Sequence, residues 1–152
     1  MIDLKALIIS ILIPNLFGFL GGLLGNSFST PTFSQPSFTP PAIVFPIVWT
    51  ILYTLMGISS YIIYTSNEPS KKSSLIIYGI QLVLNSLWTL FFFRLQWFLF
   101  SFIWILLILF FVILMIIKFY KINKTAGLLQ IPYAIWLVFA CILNFSVYLL
   151  NR

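Results

Sequence analysis

The sequence predicts an all-α integral membrane protein, folded as a single bundle of five transmembrane helices with a proline-rich loop between the first two. Three observations lead there. Residues 6–67 carry no charge, and neither do residues 73–93, 95–117 and 125–151. The composition is 62% hydrophobic with a mean hydropathy of +1.14. The first uncharged run is broken near its middle by a segment that no helix could contain. Water does not tolerate so much uncharged apolar surface, whereas about 20 apolar residues in a helix cross ~30 Å of hydrocarbon.

Taken in order, the first expected span is 6–25. Its 20 apolar residues exceed the apolar stretch of a cleaved signal peptide, and no small-x-small cleavage site follows Gly25, so it is expected to remain as a span. Gly18 with Gly22, and Gly21 with Gly25, have the G-x-x-x-G spacing that lets helices approach closely. Packing against another helix of the same chain is the expected role, with dimerisation as the alternative. Pro14 and Asn15 predict a kink. Residues 26–41 (NSFSTPTFSQPSFTPP) contain four prolines, each lacking an amide donor, and are expected as an ordered loop or re-entrant cover. The remaining spans are expected at 42–64, 75–93, 97–117 and 126–150. All of 1–152 is then one membrane domain, with nothing left for a soluble one.

The formal charge of +6 has a telling distribution. Lys5, Lys71, Lys72, Lys118, Lys121 and Lys124 fall at the N-terminus and in the second and fourth connections, which share one side of the membrane. Only Arg94 and Arg152 fall on the other. The positive-inside rule therefore predicts a cytoplasmic N-terminus, an external C-terminus and an external proline-rich loop. The bias points to a bacterial plasma membrane rather than a mitochondrial one. The basic residues suit anionic lipid headgroups; no nucleic-acid partner is expected.

The chain has no histidine, one cysteine (Cys141), and only Asp3 and Glu68 as carboxylates, both outside the expected spans. Acid–base catalysis, metal catalysis and carboxylate-coupled proton transport all lack their residues, and no cofactor is expected. Specificity must come from rings and neutral hydrogen-bonding groups. In the third span Gln81, Asn85, Trp88 and Thr89 share one helical face; in the fifth, Tyr133, Trp136, Ala140, Asn144 and Tyr148 do; in the second, Pro46, Trp49, Tyr53 and Gly57 do. Unpaired amides are costly in hydrocarbon, so Gln81, Asn85 and Asn144 should face the bundle interior, as glue between helices or as ligand contacts. Trp97, beside Arg94, reads as an interfacial anchor. Trp49, Trp88 and Trp136 each share a face with a polar residue, and an interior of rings and amides suits a large, flat, apolar ligand.

These stripes resemble the tryptophan-rich sensory protein/translocator protein (TspO/MBR) family, whose mitochondrial members are the peripheral-type benzodiazepine receptors. The resemblance is carried by Pro36–Pro41 (PSFTPP), Val44–Gly57 (VFPIVWTILYTLMG), Gln81–Trp88 (QLVLNSLW) and Pro132–Asn144 (PYAIWLVFACILN). It implies a five-helix bundle, often a homodimer, that binds porphyrins and in some members sterols or aromatic drugs. The implied pocket draws on Trp49, Tyr53, Asn85, Trp88, Trp136, Ala140 and Asn144, and Gln81 is added from its place on the third-span stripe. The implied lid is the end of the loop, with Phe38, Thr39, Pro40 and Pro41. The sequence departs from the family at Phe38, where a Trp is usual, and in span four, where Trp104 and Leu109 stand near the places of an acid and a Trp. The function expected is a binding or sensory protein for tetrapyrroles such as protoporphyrin or haem. A tetrapyrrole exporter, or the light-dependent porphyrin breakdown reported for some relatives, are the alternatives.

Overall fold

Hydrocarbon offers no partner to a backbone N–H or C=O, so each span must satisfy its own. The computed structural model, which describes residues 1–152, meets that demand with helices alone. They are α1 (Leu4–Gly25), α2 (Val44–Tyr64), α3 (Lys71–Thr89) continued by a π-helical turn (Leu90–Arg94), α4 (Phe98–Ile122), a short α5 (Lys124–Leu128) and α6 (Ile131–Asn151). Five stretches are long and apolar enough to cross a membrane: Leu4–Gly25, Val44–Tyr64, Lys71–Arg94, Phe98–Ile122 and Lys124–Asn151.

The expected boundaries need correcting in the third, fourth and fifth spans. The third span begins at Lys71 rather than at residue 75, and the fourth runs on to Ile122, because a helix extends past the hydrocarbon when its charged residues can reach water. The third span also does not end as a plain α-helix. Leu95 N–H reaches back five residues to the Leu90 carbonyl (2.9 Å), and Trp97 N–H reaches Phe91 (2.9 Å), with Gln96 at φ 54° closing the turn. The fifth span, expected as one helix over 126–150, is two. Asn123 caps α5 by accepting from Ala126 N–H (3.1 Å), and the chain restarts at Ile131 with Pro132, which has no N–H to continue the first ladder.

Helix α1 stays helical through Pro14. Pro14 has no N–H for the Ser10 carbonyl, and Gly57 of α2 fits directly against Ser10 and Ile11 there, where any Cβ would collide with backbone. The glycine pairs of α1 pack within the chain: Gly18 receives the Tyr53 ring, while Gly21 and Gly25 lie on Ser86 and Thr89 of α3. The Thr89 hydroxyl donates to the Gly21 carbonyl. Asn26 ends α1 in the left-handed region (φ 57°), a conformation asparagine tolerates.

Around the bundle the order is α2, α1, α3, α4, α6, with α5 tucked against α2 and α4. Between α2 and α6, large side chains rather than close backbones fill the interface. The deepest core, with Met56, Ile63, Ile108, Val112, Met115 and Phe119 fully buried, sits toward the end that carries Lys71 and Lys124. The outward faces of α1 and α4 expose Leu12, Leu16, Ile103 and Phe110, as lipid-facing surfaces do.

Candidate ligand-binding site

The α2–α6 seam is built from rings. Trp49 stacks on Tyr53 one turn later (centroids 5.3 Å apart, planes 25°) and meets Tyr133 and Trp136 of α6 edge-on at 6.1 and 6.4 Å. Phe45 and Phe139 extend the array on either side of Trp136. Such offset and T-shaped contacts are the favoured aromatic geometries, each worth roughly 0.5–1.5 kcal/mol beyond its area. The helices present these rings because positions 45, 49 and 53 on α2, and 133, 136 and 140 on α6, recur at three to four residues.

Behind the rings lie the amides. Asn85 Nδ2 donates to the Tyr53 hydroxyl (2.9 Å), and the Tyr133 hydroxyl donates to Gln81 Oε1 (2.7 Å). Gln81 Nε2 rests 4.0 Å from the Met56 sulfur. Two phenols of the seam are thus held by two amides of α3. Gly18 is part of the same construction, since only a residue without Cβ leaves room for the Tyr53 ring.

A second cluster occupies the loop end. Trp88 stacks on Phe92 (4.8 Å, 18°) and donates through Nε1 to Asn144 Oδ1 (3.1 Å), while Asn144 Nδ2 donates to the Phe98 carbonyl (2.9 Å). Asn144 therefore ties α3, α4 and α6 together. The π-helical turn re-aims its phenylalanines: Phe92 goes inward against Trp88, and Phe91 goes outward to Trp97, Phe100 and Trp104. Phe33 of the loop inserts here, edge-on to Phe92 (5.4 Å) and Phe98 (4.9 Å). Ser34 and Asn151 exchange backbone–amide hydrogen bonds (2.9 and 2.8 Å), and Gln96 donates to Thr32 (3.1 Å), so the loop is pinned across the end of α6 and the α3–α4 turn.

Of the residues expected in a pocket, Trp49, Tyr53 and Trp136 come together directly. Gln81 and Asn85 join them through hydrogen bonds, and Ala140 packs beside them against the same core. Trp88 and Asn144 pair with each other in the adjoining cluster. The amides do face the interior, and in this arrangement Asn85 and Asn144 bond to phenol, indole and backbone rather than to one another. Phe38 is 48% exposed, and Thr39 turns back on the Pro36 carbonyl (2.7 Å), so the loop's inward contact is Phe33 rather than the 38–41 segment. No spacing signal marks Phe33, because it lies in irregular backbone. Tyr133 is the other residue whose weight the stripe alone understates. Trp104 turns away from the seam, donating Nε1 to the Leu84 carbonyl (2.8 Å) and packing on Phe91 and Phe100. Two lipid-facing grooves, of 530 Å³ beside Trp97 and Arg152 and of 390 Å³ beside Leu109 and Cys141, touch none of the expected pocket residues.

The family model described as TspO/MBR family matches residues 10–150. The tryptophan-rich protein TspO of Chlorobaculum tepidum is 36% identical over 71% of this chain and 70% of its own length. The protein of the same description from Archaeoglobus fulgidus is 40% identical over 68% of this chain and 67% of its own length. The translocator protein of Ovis aries is 29% identical over 69% of this chain and 64% of its own. With five spans in this order, and matches of this extent, the chain belongs to the TspO/MBR family of multi-pass integral membrane proteins.

Proposed function

We propose that the chain binds planar, largely apolar small molecules, tetrapyrroles foremost, in the seam between α2 and α6. The observation that carries this reading is the mutual packing of Trp49, Tyr53, Tyr133 and Trp136 across an interface with little close backbone contact. Side chains that meet only through rings can part around another flat ring and keep their stacking area. Asn85 and Gln81 hold the phenols at its back, and Trp88, Ala140 and Asn144 bound it toward the loop. The loop, pinned through Phe33 and leading through Phe38, Thr39, Pro40 and Pro41 into α2, acts as the lid. The relatives' descriptions as tryptophan-rich sensory protein and translocator protein agree with a small-molecule role.

Titration of purified protein with protoporphyrin in the dark, following tryptophan quenching, tests this. Stacking on one aromatic side chain is worth about 1–3 kcal/mol, so Trp136→Ala weakens binding ~10-fold. Trp97→Ala, at a ring 52% exposed on the lipid side, leaves affinity nearly unchanged. Equal losses in the two variants, both folded, place the ligand elsewhere. A new absorption spectrum on illumination identifies oxidative breakdown, and uptake into proteoliposomes identifies transport.

The proposed orientation has the N-terminus cytoplasmic and the loop outside, from the six lysines gathered at one end of the bundle. In a Cys141→Ser background, Thr30→Cys is labelled in intact cells by an impermeant thiol reagent and Lys72→Cys is not. The opposite pattern inverts the topology. A homodimer, implied by the family resemblance, is tested by cross-linking in native membrane.

A further inference from the structure

On the basic side of the aromatic seam the bundle buries a different kind of surface. Ser59, Ser60, Tyr78, Gln81, Gln130 and Tyr133 are each no more than 6% exposed. Tyr78 stands one turn before Gln81 on α3, and Gln130 one turn before Tyr133 at the start of α6. Both helices run from the basic end toward the loop, and Gln81 bonds Tyr133, so Tyr78 and Gln130 lie at matching depth below that pair. Ser59 donates to the Ala126 carbonyl (2.7 Å), one turn before Gln130, and Ser60 donates to the Gly57 carbonyl of its own helix (3.0 Å). Tyr133 belongs to both, meeting Trp49 edge-on at 6.1 Å and bonding Gln81, which makes the layer continuous with the seam.

Its hydrogen-bonding capacity is not consumed within the chain. Gln130 Nε2, Gln130 Oε1 and the Tyr78 hydroxyl are buried without a partner. Lipid cannot relieve them, and an orphaned amide costs free energy that an apolar side chain of the same shape would not. Buried polar groups in proteins are otherwise almost always satisfied, by protein or by ordered water.

We propose that this layer is a polar subsite for an uncharged group bearing both a donor and an acceptor. Either the inner edge of a ligand seated in the seam supplies that group, which rests on the seam binding proposed above, or a buried water does. Gln130 offers N–H donors beside a carbonyl acceptor, and the Tyr78 hydroxyl serves as either. No lysine, arginine or histidine stands in the layer, so an ionised carboxylate would be desolvated there without compensation. The carboxylates of a bound tetrapyrrole therefore stay at the loop end, where Arg94 and Arg152 are exposed, and its uncharged edge points inward.

Phenanthridin-6(5H)-one and phenanthrene share a three-ring outline, but only the former carries N–H and C=O side by side. Both are titrated by tryptophan quenching into the protein in lipid nanodiscs, and the ratio of their affinities is compared between variants. Gln130→Leu is expected to lower phenanthridinone affinity relative to phenanthrene about tenfold. Gln130→Met and Tyr78→Phe repeat the comparison with gentler changes of shape. An unchanged ratio with a lowered melting temperature of the ligand-free variants identifies water as the occupant. An unchanged ratio with unchanged or raised melting temperature in all three overturns the subsite. If neither probe quenches the wild-type protein, the seam reading fails, and the melting comparison still decides whether the layer holds water.

Discussion

Asn144 is 1% exposed and joins three helices, accepting from Trp88 Nε1 at 3.1 Å and donating to the Phe98 carbonyl at 2.9 Å. Replacing it with leucine keeps the bulk and removes both bonds. The Phe98 carbonyl still accepts from the Ser101 hydroxyl (3.0 Å), but the Trp88 N–H is left without its partner in a setting with no bulk water. Interhelical hydrogen bonds in membranes average about 0.6 kcal/mol, with a maximum near 1.7. Two such bonds and one orphaned donor put Asn144→Leu at roughly 2–3 kcal/mol of destabilisation. Trp88→Phe keeps a ring on Phe92 and loses only the donor, so it costs about 1 kcal/mol. Because both changes remove the same bond, the double variant is less destabilised than the sum by about 1 kcal/mol. Reversible unfolding in lipid–SDS mixed micelles, followed by circular dichroism so that tryptophan changes do not interfere, measures all four corners of the cycle. Both the oxygen and the nitrogen of the Asn144 amide are engaged within the fold, so protoporphyrin affinity in Asn144→Leu should fall less than about threefold. A variant as stable as wild type that loses about tenfold in affinity would refute the reasoning and make the amide a ligand contact.

Other outcomes follow from the same geometry. Gly57→Ala drives a methyl into the Ile11 backbone of α1 and should destabilise by about 1–3 kcal/mol in the same assay, whereas Gly79→Ala, with open space around it, should be nearly silent. Phe33→Ala removes the ring wedged against Phe92 and Phe98, so hydrogen exchange should accelerate across residues 29–36 while α1 and α2 stay protected. Trp104→Phe retains packing on Phe91 and Phe100 but loses the bond to the Leu84 carbonyl, for a cost of about 1 kcal/mol and no change in porphyrin affinity; a tenfold affinity loss would place Trp104 on the ligand path.

Membrane residence, the number of spans, the proline-rich interruption and the inward faces of Gln81, Asn85 and Asn144 were all legible in the sequence. Each follows from a rule that acts on one helix at a time: hydrocarbon excludes charge and unpaired backbone, proline ends a ladder, and a repeat of three to four residues selects a face. Which faces meet is another matter. Whether Asn85 finds Tyr53 or Asn144, whether Gln81 finds Tyr133, and whether Trp104 turns inward or onto Phe91 depend on the rotation and depth of one helix against another. Those are set by packing that no single stripe encodes, such as Gly57 against Ser10 and Gly18 under the Tyr53 ring. The π-helical turn at Leu90–Arg94 is not marked by any such signal, whereas the break before Ile131 has a local one in Pro132. Phe33 had no periodic signal at all. It matters because the loop's hydrogen bonds to Asn151 and Gln96, residues far away in sequence, fold it over the Phe92–Phe98 cluster. A periodic pattern reports only which side of a helix is buried, and the neighbour it is buried against exists only once the bundle has closed.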